Sequence, residues 1–236
     1  MAALNPATGY KVVYLASGGA GILVLLLALK MPYLDGDVKN NHDWKEALRI
    51  FKTVISNKGI LFTSAVEAAI LFAYGTFETF LPLYSLKLGL SAYAVGIFLS
   101  AQVVTLALTK PLMGRFSDKH GRRPQIFAGA IIGAGCIGAF SFFTAFLPLL
   151  LLSMSFGLCL SIVTSATSAL VADLSREETH GGAMGILGSI MDIGHTTGPL
   201  ISGFIAAYFG LAFSFMGASA MLLFFAFVFL WGTIKG

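Results

Sequence analysis

Gly114-Arg115-Phe116-Ser117-Asp118-Lys119-His120-Gly121-Arg122-Arg123-Pro124 is a short charged stretch set between two long apolar runs. Four of its residues are arginine or lysine and one is an aspartate. Between two membrane spans, such a basic turn is retained on the cytoplasmic side. Gly121 supplies the positive φ that a tight turn needs, and Gly114 removes a side chain where two helices can approach. Asp118 offers an anion to an arginine or to a helix N-terminus.

Working outward, the composition sets the class. The 236 residues are 57% hydrophobic and 11% charged, with a mean hydropathy of +0.86, far too apolar for a soluble domain. The chain reads as an all-α membrane protein. Its net charge of +4 is concentrated in a few connectors, so it reports orientation in a bilayer and gives no reason to expect nucleic-acid binding. Cys136 and Cys159 lie inside apolar runs, which argues against a disulfide framework or a zinc site and for packing roles. Neither a metal cluster nor a glycine-rich phosphate loop is present in the sequence, so no cofactor is expected. Met1 to Tyr10 has no basic region ahead of the first apolar run, so no cleavable leader is expected.

Runs long enough to cross a bilayer, about 20 residues each, fall near 12–29, 59–83, 92–113, 125–146, 149–172, 183–206 and 210–234. Seven transmembrane helices are predicted. The connector after the first holds Lys30, Lys39, Lys45, Arg49, Lys52 and Lys58, while the one after Leu83 holds only Lys87. The amino terminus is therefore expected outside and the carboxyl terminus in the cytoplasm. Within the long connector, Asp43 and Glu46 form a capping box, and Trp44, Ala47, Leu48, Phe51 and Ile55 recur on one helical face. Lys45, Arg49 and Lys52 occupy the other. This composition suits a helix lying on an anionic membrane surface or packed against the ends of the spans.

The charged turn resembles the signature loop of the major facilitator superfamily, with Gly114, Asp118, Lys119, Gly121, Arg122 and Arg123 matching the pattern. Members of that superfamily are built from two similar six-helix bundles. A faint repeat aligns Gly9–Ser17 with Gly210–Ala218, as expected of sixth and twelfth helices. The resemblance then implies three parts: residues 1–30, the last helix of an amino-terminal bundle; 31–58, the central cytoplasmic linker; and 59–236, the six-helix carboxyl-terminal bundle. It implies a missing amino-terminal half, supplied by another segment or by a second copy. A competing register makes spans two to seven the first half, but leaves the preceding helix and basic linker unexplained.

Three groups of residues carry chemistry in this reading. Glu67 and Glu78 lie in span two, eleven residues apart, which brings them within about 20° of one helix face and about 16 Å apart in depth. An ionisable group inside a membrane costs at least about 2.5 kcal/mol, so each is expected to face a cavity or a partner. Thr76, Thr79 and Tyr84 add hydrogen-bonding groups, and Pro82 is expected to end or bend the helix. In span six, Asp192 and His195 are neighbours on one face and form a pair able to hold a proton near neutral pH. These four are the expected substrate- or proton-binding residues.

The same span holds Gly185, Gly194, Gly198, Pro199 and Gly203, a spacing similar to the superfamily's antiporter motif, with Ser202 in place of one glycine. Small residues permit close packing, and Pro199 frees the carbonyl of His195, so a bend is expected there. The resemblance places the motif in the eleventh helix, where family antiporters usually carry it in the fifth. At the end of span five, Asp173, Glu177 and Glu178 are expected to meet Arg122 or Arg123 as a gate on the cytoplasmic side. Thr164, Ser165, Thr167 and Ser168 either line a pathway or join helices.

The resemblance implies a plasma-membrane secondary transporter that expels a small organic solute, coupled to protons, by alternating access. Its partners are then the solute, protons and the lipid bilayer. Import or uniport by the same fold is one alternative, and a non-transporting membrane fragment or scaffold is another. An enzyme is not expected: Leu15-Ala16-Ser17-Gly18 approaches an intramembrane serine protease pattern, but its first glycine is absent.

Overall fold

A computed structural model describes residues 6–30, 51–52, 56–175 and 179–235. Among them seven long helices follow one another: α1 (Pro6–Lys30), α2 (Lys58–Lys87), α3 (Ala92–His120), α4 (Arg122–Ala139), α5 (Phe146–Leu174), α6 (His180–Phe209) and α7 (Leu211–Lys235). No strand occurs among the described residues. The physical reason is the solvent: lipid offers no partner to a backbone N–H or C=O, and a helix satisfies both within its own segment. The chain forms two compact units, Met1–His42, which contains α1, and Asp43–Gly236, which contains α2 to α7. Of the helix expected in the connector, only Phe51 and Lys52 are described, both helical and exposed; its remaining residues lie outside the described ones.

The expected spans become helices with three changes at their ends: span three runs on through Gly114–His120, so that the turn itself narrows to Gly121. Span four stops at Ala139, where the amides of Ser141 and Phe142 turn back onto the carbonyls of Gly138 and Ala139, and the Ser141 hydroxyl donates to Ala212 O of α7 at 2.7 Å. Span two, in contrast, runs past Pro82 to Lys87. By length and hydropathy α2, α3, α5 and α7 are each apolar enough to cross a membrane. Helix α6 is equally long, but its glycines and polar residues dilute it.

Within the second unit α2 is the axis, packed chiefly on α6 and α7 and also on α5, while α3 pairs with α5, and α4 with α5 and α7. Accordingly, 67% of the apolar window of α2 is buried against 22% of that of α3. Phe77 of α2 sits at the centre, its ring 5.4 Å from that of Phe140 and 5.3 Å from that of Phe156. Lipid tails are as apolar as leucine, so close packing and hydrogen bonds, and not water exclusion, hold these helices together. Glycine supplies the close approaches. A methyl group on Gly157 of α5 would overlap the backbone of Gln102 of α3, and one on Gly129 of α4 would overlap Ile162 of α5.

Candidate functional site

The signature turn forms the junction of α3 and α4. Gly121 ends one helix and begins the next with φ 93°, a value that a side chain would strain. Its amide closes α3 onto Ser117 O at 3.0 Å, and Gln125, in the first turn of α4, donates to Met113 O of α3 at 3.0 Å. The turn is thereby braced from both sides. Arg122 Nε reaches Asp173 Oδ2 of α5 at 2.8 Å, and its Nη2 lies 3.3 Å from Asp118 Oδ1. One guanidinium thus ties the loop to the end of α5. Glu177 and Glu178, expected nearby, lie outside the described residues. Lys119 and Arg123 are exposed. Gly114 does not make the close helix approach expected of it: a methyl there would meet nothing within 4 Å, because it looks away from the packed side of α3.

Inside the bundle the structure regroups the four expected site residues. Glu67 is fully buried, with Thr167 of α5 beside its carboxylate and the charge of Lys110 on α3 reaching it. Neither oxygen meets a donor at hydrogen-bond geometry, and the hydroxyls of Ser64, Ser161 and Thr164 along α2 and α5 are likewise without a partner among the described residues. Glu78 points elsewhere. Its Oε2 accepts from, or pairs with, Nε2 of His195 on α6 at 3.2 Å. The ring of Tyr74, one turn away on α2, stacks on the imidazole with centroids 5.3 Å apart and planes 25° from parallel.

Two expectations are corrected here. Glu67 and Glu78 share a helix face by spacing but not an environment: Glu67 lies beside Thr167 of α5, and Glu78 pairs with His195 of α6. Asp192 and His195 are neighbours in sequence, yet His195 turns to Glu78 and Tyr74, while Asp192 stays exposed. A side chain at i+3 has several rotamers, and the stacking surface across the helix pair selects this one.

The glycines of α6 divide into two groups. A methyl on Gly194 would overlap the backbone of Ala68, and one on Gly198 that of Phe72, both on α2. From the other side Gly75 of α2 meets the carbonyl of His195, the one that Pro199 leaves without a helical donor, and the ring of Pro199 itself. Gly185 faces open space, and Gly203 would touch only the tip of the Phe80 ring. Ser202, which stands where the motif has glycine, is buried and joins three helices. Its hydroxyl lies 2.8 Å from Thr76 Oγ1 of α2, and its carbonyl accepts from Ser214 of α7 at 3.0 Å. Since Thr76 gives its own proton to Phe72 O at 2.9 Å, Ser202 is the donor between the two.

Lys110, Gln125, Tyr74 and Ser202 were not singled out for these roles from the sequence. For Lys110 a signal was present, a lysine inside the end of the apolar run 92–113. The other three are ordinary residue types whose partners lie on different helices.

Comparison with known proteins agrees with the family resemblance of the signature turn. The sequence model of the Major Facilitator Superfamily matches residues 87–235. The multi-drug resistance efflux pump PmrA of Streptococcus pneumoniae serotype 4 is 31% identical over 147 residues, which cover 61% of this chain and 37% of that protein. Multidrug resistance protein 2 of Bacillus subtilis is 28% identical over 151 residues, covering 61% and 36%. The quinolone resistance protein NorA of Staphylococcus aureus is 28% identical over 145, covering 61% and 37%. The match therefore spans little more than a third of the length of these curated relatives.

Proposed function

Because the chain belongs to the major facilitator superfamily, we propose that it is half of a secondary transporter that expels a small organic solute in exchange for protons. In this reading α2 to α7 form the carboxyl-terminal bundle, α1 is the last helix of an amino-terminal bundle, and the connector between them is cytoplasmic. The relatives matched over 37% of their length support a larger whole. So do Lys110 and Asp192, ionisable residues exposed on α3 and α6, which at membrane depth call for a cover of protein or water. A companion half or a second copy would provide it, in the plasma membrane. Membership in this family argues for transport over peptide hydrolysis at Ser17.

The observation that carries the reading is the Glu78–His195 pair with Tyr74 stacked on it. Imidazole changes charge near neutral pH, and a carboxylate is its natural partner. A proton delivered to Glu78 would remove the carboxylate charge that attracts an imidazolium and so weaken the pair. A cationic aromatic solute could replace His195 against the same carboxylate and lie on the same tyrosine ring. The crossing beneath, where Gly75 meets the His195 carbonyl and Pro199, is where α6 can flex without losing a helical hydrogen bond. Proton and solute would then compete for one site, which is the requirement for exchange.

The test is uptake into everted membrane vesicles made from cells that express the chain together with its companion half. A quinolone or a fluorescent lipophilic cation serves as solute, under an imposed pH gradient. Glu78→Gln is expected to lower gradient-driven uptake at least tenfold at unchanged expression, and His195→Gln to flatten its pH profile. Full gradient-driven uptake in both variants would overturn the assignment.

A further inference from the structure

At the basic end of the bundle a cavity of about 590 Å³ opens between α2, α4, α5 and α7. Its size is that of a small-molecule site. Phe62, Leu170, Leu174 and Trp231 form apolar walls, and Lys58 and Arg123 stand at its edge. The ring of Phe62 lies directly on the backbone of Gly232, so the wall is closely packed. The cations are distinctive. Arg122 is engaged with Asp118 and Asp173, while neither Lys58 nor Arg123 has an acidic partner among the described residues. The N-terminus of α2 takes no part, because Asn57 Oδ1 already accepts from the amides of Gly59 and Ile60 at 3.0 and 3.3 Å. Asn57 Nδ2 also reaches Leu174 O of α5 at 3.5 Å, which joins two of the walls.

We infer that this cavity binds an anionic phospholipid, its phosphate between Lys58 and Arg123 and its first acyl carbons against Phe62 and Trp231. Charge complementarity selects the ligand: two cations with no acidic partner among the described residues, above an apolar pocket, match a molecule that is anionic at one end and hydrocarbon at the other. Basic pockets between spans on the cytoplasmic side are where such headgroups bind, and tryptophan belongs at that level. The inference rests on the reading above that this basic end faces the cytoplasm, where anionic lipid is concentrated. Because Arg123 adjoins Arg122 in the signature turn, an occupied pocket would hold the start of α4 beside the Arg122–Asp173 tie.

The test uses the full chain in phosphatidylcholine vesicles. Of its 2 tryptophans, Trp44 is replaced (Trp44→Phe), leaving Trp231 as the single emitter. Quenching by dibrominated phosphatidylglycerol is compared with quenching by dibrominated phosphatidylcholine at equal mole fraction. Each cation near the surface contributes roughly fivefold, so a preference of about tenfold or more for the anionic lipid is expected. Lys58→Ala with Arg123→Ala should abolish it, and Lys119→Ala should not. Either single variant, expected to lower the preference about fivefold, gives the same answer where the double variant does not fold. Equal quenching by the two lipids would overturn the proposal, as would a preference that survives the double variant or is lost with Lys119→Ala. Displacement of the lipid by soluble glycerol phosphate would show a site for free anions and also overturn it. Both leaflets carry the quencher, so a wrong orientation leaves this result unchanged and is detected separately by a carboxyl-terminal reporter.

Discussion

Ser202 shows how a single residue can depart from a motif and have a reason. The family pattern has glycine there, and the serine instead donates to Thr76 and presents its carbonyl to Ser214. Hydrogen bonds between membrane helices contribute about 0.6 kcal/mol on average and up to about 1.7. Ser202→Ala is therefore expected to destabilise the bundle within that range, measured by unfolding in mixed detergent micelles, and Ser202→Gly by at least as much. Asp173 is the opposite case. It holds Arg122 at 2.8 Å but is 54% exposed, and such pairs are worth about 0–1 kcal/mol because water screens them. Asp173→Asn should leave stability within about 1 kcal/mol of the parent, while any effect on gating appears in transport rate.

At the scale of elements, the crossing of α2 and α6 decides the site. Gly194 and Gly198 lay the backbone of α6 on Ala68 and Phe72, and this contact places His195 within reach of Glu78. Overfilling a packed interface costs about 1–3 kcal/mol. Gly198→Val should cost at least that and separate Tyr74 from His195. Loss of folded, monodisperse protein in size-exclusion chromatography checks it. Gly185→Ala, on the open stretch of the same helix, should be tolerated by this chain alone. If it harms the assembly proposed above, a companion half covering that face is supported. The sequence alone showed α6 to be glycine-rich and led to the expectation of a bend at Pro199; which glycines are contacts depends on how the helix is rotated, and that is set by its neighbour.

At the scale of the whole molecule, charge distribution governs orientation. Lys58 and Arg123 meet at one end, with Lys119 and Arg122 beside them, and the connector from α2 to α3 offers little but Lys87 at the other. By the positive-inside rule the carboxyl terminus is then expected in the cytoplasm. A green fluorescent protein fused after Gly236 should fluoresce, and alkaline phosphatase fused there should stay inactive; the reverse pattern inverts the topology and puts the Arg122–Asp173 pair on the outer side.

The order and approximate positions of the helices, the basic end and the glycine turn at its centre were legible in the sequence itself, because each is a local property. An apolar run in lipid has to satisfy its own backbone, and glycine between charged residues has to turn. Partnership was decided by tertiary structure alone. In lipid every face of a span is apolar, so hydrophobic pattern does not reveal which face meets which neighbour. Only the crossing of α2 with α6, set by backbone contacts at Gly75, Gly194 and Gly198, gave His195 to Glu78 and left Asp192 exposed.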